Sequence, residues 1–433
     1  MFGSVQTRSM APAFILVLSL SLLALRGLAQ GVLSLLNRRH VRAHAERPPE
    51  ALRDIMDEAT YRRSVGYTIA KSRFAQVEEL LDLAVTTCVL GSGLLPWSHG
   101  LWVGAVGSGA WAQAAWLLAV SFATSLPGMP LDWWAQFRLE ERFGFNRSTL
   151  GTWLADQAKT LALGIVLGLP LLAGILRLTG WIGDRWWLWA WGLLMAFQAV
   201  MMVLAPILIL PLFNKFTPLP EGSLRERLLR LGERTGFGAR TIQVADGSRR
   251  SAHSNAYFTG FGRFRKIVLY DTLIAQLTEA ELEAVLAHEI GHHRCGHVPK
   301  MLLWSGASSL AGFGLLGWLA GRPEFLEAFG FKASAGVAPV LLLAGLLGGA
   351  VTFWLTPLAT RRSRRHEFEA DAYARSAMGE CGSLIGALRK LHEKNLSNLT
   401  PHPWYSGFHY SHPTLVEREA ALRRGSGTTA TPA

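Results

Sequence analysis

The sequence predicts a mainly α-helical polytopic membrane protein, with seven transmembrane helices and a small cytoplasmic α+β part. Half of the 433 residues are hydrophobic and only 17% are charged, well below the roughly 25% that is typical of soluble domains. Seven apolar segments approach the length of about 20 helical residues that a bilayer crossing requires. The net charge of +12 does not indicate nucleic-acid binding, because the basic residues flank apolar segments, as cytoplasmic loops do.

The N-terminal membrane region, residues 1–212, contains five of the predicted spans. The first is the apolar segment 11–36, although a cleavable signal peptide with its apolar core at 11–25 is an alternative. Residues 37–73 carry nine Lys or Arg residues, which places this loop in the cytoplasm and the N-terminus outside. The link 96–107 has no charged residue and is interpreted as an external loop. The other four spans are expected at about 77–95, 109–126, 160–178 and 186–212, the last kinked near Pro206.

Residues 213–297 form the predicted cytoplasmic α+β part. Its last helix is expected at 279–297, introduced by a capping box of Thr278 and Glu281. Two further spans follow within residues 298–360, and the arginine-rich start of the C-terminal helical part, 361–422, keeps that part in the cytoplasm. Residues 423–433 are rich in Gly, Thr and Ala and are expected to be disordered. Three short strands are predicted at Thr241–Ala245, Ser254–Thr259 and Lys266–Tyr270, the last two forming a hairpin.

The predicted helix 279–297 contains the motif HExxH. His288 and His292 are four residues apart, so their side chains leave the same helix face and can bind one metal ion. Glu289 lies beside them and can reach a water molecule at the metal. One Zn²⁺ per chain is expected, because two histidines, a carboxylate and an open position are typical of catalytic zinc. Cys295 is interpreted as an ordinary thiol rather than a ligand.

The third zinc ligand is expected just after the seventh span, on the same side of the membrane as the HExxH motif. Glu367 and Asp371 are four residues apart and share a helix face. Glu367 is the favoured ligand, and Asp371 is expected to hydrogen-bond a ligand imidazole and fix its tautomer. Glu369 and His366 remain alternatives for the ligand.

Five sequence blocks resemble the seven-span membrane zinc metalloproteases typified by the type I CAAX prenyl endopeptidase. The similarity extends from about Tyr61 to Leu422, which is nearly the whole chain. The blocks are HEIGH at 288–292 with Glu367 and Asp371, SAHSNAYF at 251–258, YSHP at 410–413 with Glu417 and Arg418, EERFGFN at 140–146, and PLFNK at 211–215.

This resemblance implies that the seven helices enclose a large water-filled chamber, with zinc at its cytoplasmic end. It also implies the ligands His288, His292 and Glu367, with Glu289 as the base. With the resemblance, His412 and Arg418 become candidates to stabilise the oxyanion. The second predicted strand, with Asn255, Ala256 and Tyr257, is expected to bind substrate backbone by strand addition, although an ordinary core strand is the alternative.

The predicted function is that of a zinc metalloendopeptidase, and the resemblance implies that it removes the last three residues of prenylated proteins. The alternatives are a quality-control protease for membrane proteins, without a prenyl requirement, and more remotely a metal transporter. A transporter is disfavoured because the histidines lie on a cytoplasmic helix. The expected partners are a peptide or protein substrate and the lipid bilayer. Residues 428–433 show no dilysine retrieval signal, which favours a bacterial inner membrane over the endoplasmic reticulum of a eukaryote.

Overall fold

The computed structural model describes residues 12–46, 48–237, 241–254, 256–259 and 266–424. The chain is mainly helical there, as predicted. Asn255 and the tail from residue 425 lie outside the described residues, and the last helix continues to Arg424, two residues into the predicted tail. The helices are α1 Pro12–Ala43, α2 Glu58–Gly91, α3 Leu94–Val106, α4 Ala110–Ser125, α5 Met129–Trp134, α6 Leu150–Leu163, α7 Leu169–Ile182, α8 Trp186–Leu204, α9 Leu210–Phe213, α10 Ser223–Arg234, α11 Asp271–Gln276, α12 Glu279–Arg294, α13 His297–Ala320, α14 Pro323–Ala328, α15 Val337–Thr352, α16 Thr356–Met378, α17 Gly382–Lys394, α18 Pro403–His409 and α19 Leu415–Arg424.

Within the described residues, five helical segments are long and apolar enough to cross a membrane, and α2 with α3 makes a sixth if that bent pair is one span. Integral membrane character is therefore confirmed, while the count of seven stays a prediction. The π-helical stretch Ala205–Ile209 interrupts the third segment around Pro206, where a kink was predicted. The five segments are Pro12–Ala43, Ala110–Glu140, Leu150–Phe213, His297–Ala320 and Val337–Met378.

The link 96–107, predicted as an external loop, is instead mostly helix α3. Gly93 has a φ of 76°, a left-handed conformation that glycine adopts without steric cost. The chain bends there by 61° and continues as a second apolar helix. Trp102 at its end donates its indole N–H to the carbonyl of Ala112 in α4, at 2.8 Å. The prediction of a loop was wrong because the absence of charged residues does not distinguish an apolar helix from an uncharged loop.

In the part of the chain that the structure describes, four strands form one mixed sheet in the order β1-β2-β4-β3. β2 and β4 occupy the predicted residues and pair in parallel, and the predicted antiparallel pairing of β3 with β4 is confirmed. β1 was not predicted. β3 lies at one edge of the sheet. The strands are β1 Phe216–Pro218, β2 Thr241–Ala245, β3 Ala256–Thr259 and β4 Lys266–Tyr270.

The helix that carries HExxH, α12, lies in the largest apolar core of the α+β part. Leu282, Leu286 and Ile290 are at most 2% exposed and belong to the same core as the β4 residues Ile267 and Leu269. Burying each such side chain contributes roughly 1.5–3 kcal/mol. This core also includes residues from 41–65 and from 374–422. Segments on both sides of 213–297 therefore hold the metal-motif helix in place.

Candidate active site

Helix α12 begins with the predicted capping box. Thr278 Oγ1 accepts a hydrogen bond from the backbone N–H of Glu281, and Glu281 Oε2 accepts one from the N–H of Thr278. Lys390 of α17 donates to the same carboxylate oxygen at 2.7 Å. The start of the helix is therefore fixed by its own sequence and by a neighbouring helix, and HExxH follows three turns later.

The side chains of His288, His292 and Glu367 converge between α12 and α16. The two Nε2 atoms are 3.2 Å apart. His292 Nε2 lies 3.3 Å from Glu367 Oε1, and His288 Nε2 lies 3.5 Å from Glu367 Oε2. Bonds of about 2.0–2.1 Å in a tetrahedral zinc site separate neighbouring ligand atoms by about 3.3 Å. The three donors thus have the spacing that such a site requires, whereas Glu369 and His366 take no part in it.

Gly291, inside the HEIGH motif, allows the two ligand-bearing helices to approach each other. A Cβ at this position would lie 2.9 Å from both Cα and the carbonyl oxygen of Ala370 and 3.1 Å from Cβ of Tyr373. Ala370 lies three residues after Glu367 on α16. Any larger residue at 291 would therefore separate the histidines from the carboxylate.

The donor set fits a metal ion. Glu367 Oε2 is buried and has no hydrogen-bond partner in the described part of the chain. A buried acceptor without a donor costs about 1–3 kcal/mol, and a cation at the centre of the cluster would satisfy it. Two imidazoles and a carboxylate are the typical protein ligands of catalytic zinc.

Asp371 and Arg418 lie behind His288. Asp371 Oδ1 is 2.8 Å from His288 Nδ1, which is the contact that its predicted role requires. Arg418 donates two hydrogen bonds to Asp371, at 2.6 and 2.8 Å, and both residues are buried. Burial alone would lower the pKa of His288, but the nearby carboxylates of Asp371 and Glu367 outweigh it and raise the pKa to about 9. The contact of Asp371 with Nδ1 orients the ring of His288 so that its Nε2 faces the metal cluster.

A second chain of contacts, which the sequence analysis missed, lies behind His292. His292 Nδ1 is 2.9 Å from Nδ1 of His297, and His297 Nε2 is 3.1 Å from Glu369 Oε2. Arg365 donates to the other oxygen of Glu369 at 2.9 Å. His297 is 2% exposed. Both imidazoles of the motif are thus backed by a carboxylate and an arginine, directly for His288 and through His297 for His292.

Glu289 and His412 lie near the cluster without being part of it. Glu289 makes no hydrogen bond or ion pair within the described residues, and burial raises its pKa above the usual value, which makes it a stronger proton acceptor. His412 Nε2 lies 3.5 Å from Glu367 Oε1, and 63% of its side chain is exposed. Arg418, the other predicted oxyanion donor, is instead occupied by Asp371.

A cavity of about 570 Å³ opens beside the cluster, large enough for a peptide segment. The polar side chains along its wall include His412, Tyr410, Lys71 and His253. The predicted substrate strand contributes nothing to the metal cluster among the described residues. Ala256 and Tyr257 pair with β4, and β3 is the last strand in the order of the sheet.

Comparisons with known proteins agree over most of the chain. Residues 37–215 match the family described as CAAX prenyl protease N-terminal, five membrane helices, and residues 218–425 match peptidase family M48. CAAX prenyl protease 1 of Saccharomyces cerevisiae is 35% identical, with 89% of this chain and 90% of that protein aligned. A CAAX prenyl protease 1 homologue of Oryza sativa is also 35% identical, over 86% of this chain and 89% of that protein.

The crystal structure of S. mikatae Ste24p has the same fold, with a TM-score of 0.86 and 32% identity. The match covers 96% of this chain and all of that one. The two family matches adjoin each other in the chain, and the relatives align over most of their length. Together with the shared fold, these matches assign the chain to one family. The chain is a membrane metalloprotease of peptidase family M48, of the CAAX prenyl protease type.

Proposed function

We propose that this protein is a zinc endopeptidase that cuts peptide bonds in a chamber within the membrane region and releases the last three residues of prenylated proteins. The observation that carries the proposal is the cluster of His288, His292 and Glu367, with Glu289 unpaired beside it and His412 on the cavity side. CAAX prenyl protease 1 proteins are relatives over most of the chain, which supports the substrate class.

The two histidines and Glu367 would hold zinc, which when bound supplies a Lewis acid that polarises the scissile carbonyl and acidifies a water molecule. Glu289 accepts the proton of the attacking water and returns it to the leaving amine, for which its raised pKa suits it. His412 donates a hydrogen bond from Nε2 to the carbonyl oxygen as negative charge develops, and one such donor is worth roughly 3–4 kcal/mol.

Asp371 and Arg418 act through the ligand rather than on the substrate. Asp371 accepts the Nδ1–H of His288 and keeps its Nε2 free for the metal. Arg418 neutralises Asp371 and holds it by two hydrogen bonds. We therefore assign Arg418 to positioning, and His412 alone to the oxyanion.

Seven crossings are the proposed membrane topology. Six come from the five apolar segments and the α2–α3 pair. The seventh comes from Leu150–Phe213, whose 64 residues would measure about 96 Å as one helix, roughly three times the hydrocarbon core. Gly183, with a φ of 66°, ends α7, and α8 returns along it: a Cβ on Gly174 would lie 3.0 Å from Leu193.

The proposed orientation has the N-terminus outside and the active site on the cytoplasmic side. The basic loop 37–73 and the arginines at 361–365 flank apolar segments, and positive residues remain in the cytoplasm. Cavities of about 570 and 440 Å³ share Lys71 and His253 as wall residues, which supports a continuous chamber beside the metal cluster.

The test is cleavage of a peptide pair by the detergent-purified full chain, followed by mass spectrometry. One peptide ends in a farnesylated Cys-aliphatic-aliphatic-X sequence and its twin lacks the lipid, with Glu289→Gln as the blank. We expect release of the last three residues from the farnesylated peptide alone. Cleavage of both peptides at scattered sites would support the quality-control alternative, and cleavage of neither would contradict the proposal.

A further inference from the structure

A second group of metal-binding side chains lies beside the first cluster. Cys295 follows the last residue of α12, His297 begins α13, and Glu369 lies on α16. One ligand atom from each residue lies within 4.8 Å of the other two. His297 Nε2 and Glu369 Oε2 are 3.1 Å apart, close to the edge of a tetrahedral site of about 3.3 Å. Cys295 and Glu369 are partly exposed, so an ion from solvent can reach the group.

The chemistry of this group selects a particular class of cation. A thiolate and a carboxylate together balance a dication, and a thiolate favours Zn²⁺ or Cd²⁺ over Mg²⁺ or Ca²⁺. Cysteine binds such a cation as the thiolate, so Cys295 gives up its thiol proton when the metal binds. Arg365 occupies Glu369 Oε1, which leaves Oε2 for a metal.

The two groups share one hydrogen bond, between Nδ1 of His292 and Nδ1 of His297. When His292 binds a metal through Nε2, its remaining proton is on Nδ1 and points at His297. His297 then accepts at Nδ1 and carries its own proton on Nε2, directed at Glu369. A metal on Nε2 of His297 requires the opposite tautomer, which would set two N–H groups against each other across 2.9 Å.

We propose that Cys295, His297 and Glu369 form a second site for a thiophilic divalent cation, and that its occupation excludes metal from His288, His292 and Glu367. This inference rests on the proposed function in one respect, the use of His292 as a ligand. When a metal at the second site replaces the metal at the first, the thiol of Cys295 releases one proton. His292 and His297 each retain one proton, which moves from Nδ1 to Nε2 on His292 and from Nε2 to Nδ1 on His297. Excess zinc would inhibit the protease by this route.

Cadmium titration of the zinc-loaded full chain tests the site. The readouts are the ultraviolet charge-transfer band of a cadmium–thiolate bond and the bound metal per chain. We expect the band in the wild type and in the matched control Cys381→Ser, its loss in Cys295→Ser, and a total of one metal per chain throughout. No band in the wild type, or a band that persists in Cys295→Ser, would overturn the site. Two metals per chain would overturn the exclusion.

His292→Ala tests the coupling without any measurement of hydrolysis. Because this variant lacks the opposing N–H group, cadmium should bind at Cys295 about tenfold more tightly, within the usual range of coupling between two sites. Unchanged or weaker binding would overturn the coupling. If the protein cleaves no peptide, the proposed function fails while the thiolate band still decides the second site. If it cleaves, the basal rate of Cys295→Ser should equal the wild-type rate, and inhibition by excess zinc should require about tenfold more metal.

Discussion

Gly291→Ala should weaken the active site without removing any functional group. The added Cβ would lie 2.9 Å from backbone atoms of Ala370, whereas ordinary Cβ contacts begin at 3.4 Å. Backbone cannot rotate away as a side chain can, so α12 and α16 must separate, and an ordinary contact requires a separation of about 0.5 Å, the difference between 2.9 and 3.4 Å. Glu367 would move with α16, away from both histidines.

The size of the effect follows from this displacement. Overpacking of a tight contact costs about 1–3 kcal/mol of stability. Functional constellations tolerate about 0.5 Å of error, and a 1 Å misplacement costs about 100-fold in rate. We therefore expect the Kd for zinc to rise, and kcat/KM to fall, by about tenfold in Gly291→Ala.

The assay combines zinc competition with a chromogenic chelator and hydrolysis of a quenched fluorescent peptide in detergent. Gly345→Ala on α15 is the matched control, because a Cβ there would have nothing within 4 Å. Wild-type zinc affinity and wild-type turnover in Gly291→Ala would refute the reasoning, since they would show that the spacing between the helices does not set the ligand distances.

Three other predictions follow from the contacts around the cluster. His297→Phe should weaken zinc binding by about 10–100-fold because the Nδ1–H of His292 loses its hydrogen-bond acceptor. His297→Gln retains an acceptor and should recover part of the lost zinc affinity in the same chelator competition. Asp371→Ala should cost about 3–5 kcal/mol of unfolding free energy because the buried Arg418 loses its two hydrogen bonds to Asp371 and keeps only a longer ion pair, at 3.6 Å, with Glu367. The double variant Asp371→Ala with Arg418→Met should be more stable than the single variant, and equal stability would contradict this. Thr278→Ala should cost about 1 kcal/mol and lower Tm, whereas Thr278→Ser retains the cap.

The sequence predicts local features of this fold well. The boundaries of β2 and β4 and the capping box of α12 each depend on residues within a few positions of one another, so periodicity and capping rules detect them. β1 escapes prediction because Phe216–Pro218 is only three residues long and contains a proline. Helix α3 escapes because its apolar sequence has the same composition as an uncharged loop.

In the active site, too, the sequence predicts the contacts between residues close in the chain and misses those between distant residues. The spacing of four residues predicts that His288 and His292 share a face, and a second such spacing pairs Glu367 with Asp371. The partner of His297, Glu369, is 72 residues away, and no periodic pattern joins them. The sequence predicts Glu369 only as an alternative zinc ligand. Its contact with His297 depends on how the start of α13 packs against α16.

Each of the two histidines of the motif is held in its orientation by a separate chain of hydrogen bonds. His288 is held by Asp371 and Arg418, and His292 by His297 and Glu369 with Arg365. Each of the two carboxylates accepts hydrogen bonds from an arginine and is held in place as an acceptor for an imidazole N–H. The ring orientations are therefore set before the metal arrives, so little side-chain entropy is lost on binding. One support runs through a residue that can itself bind metal, which makes His292 the more vulnerable of the two ligands.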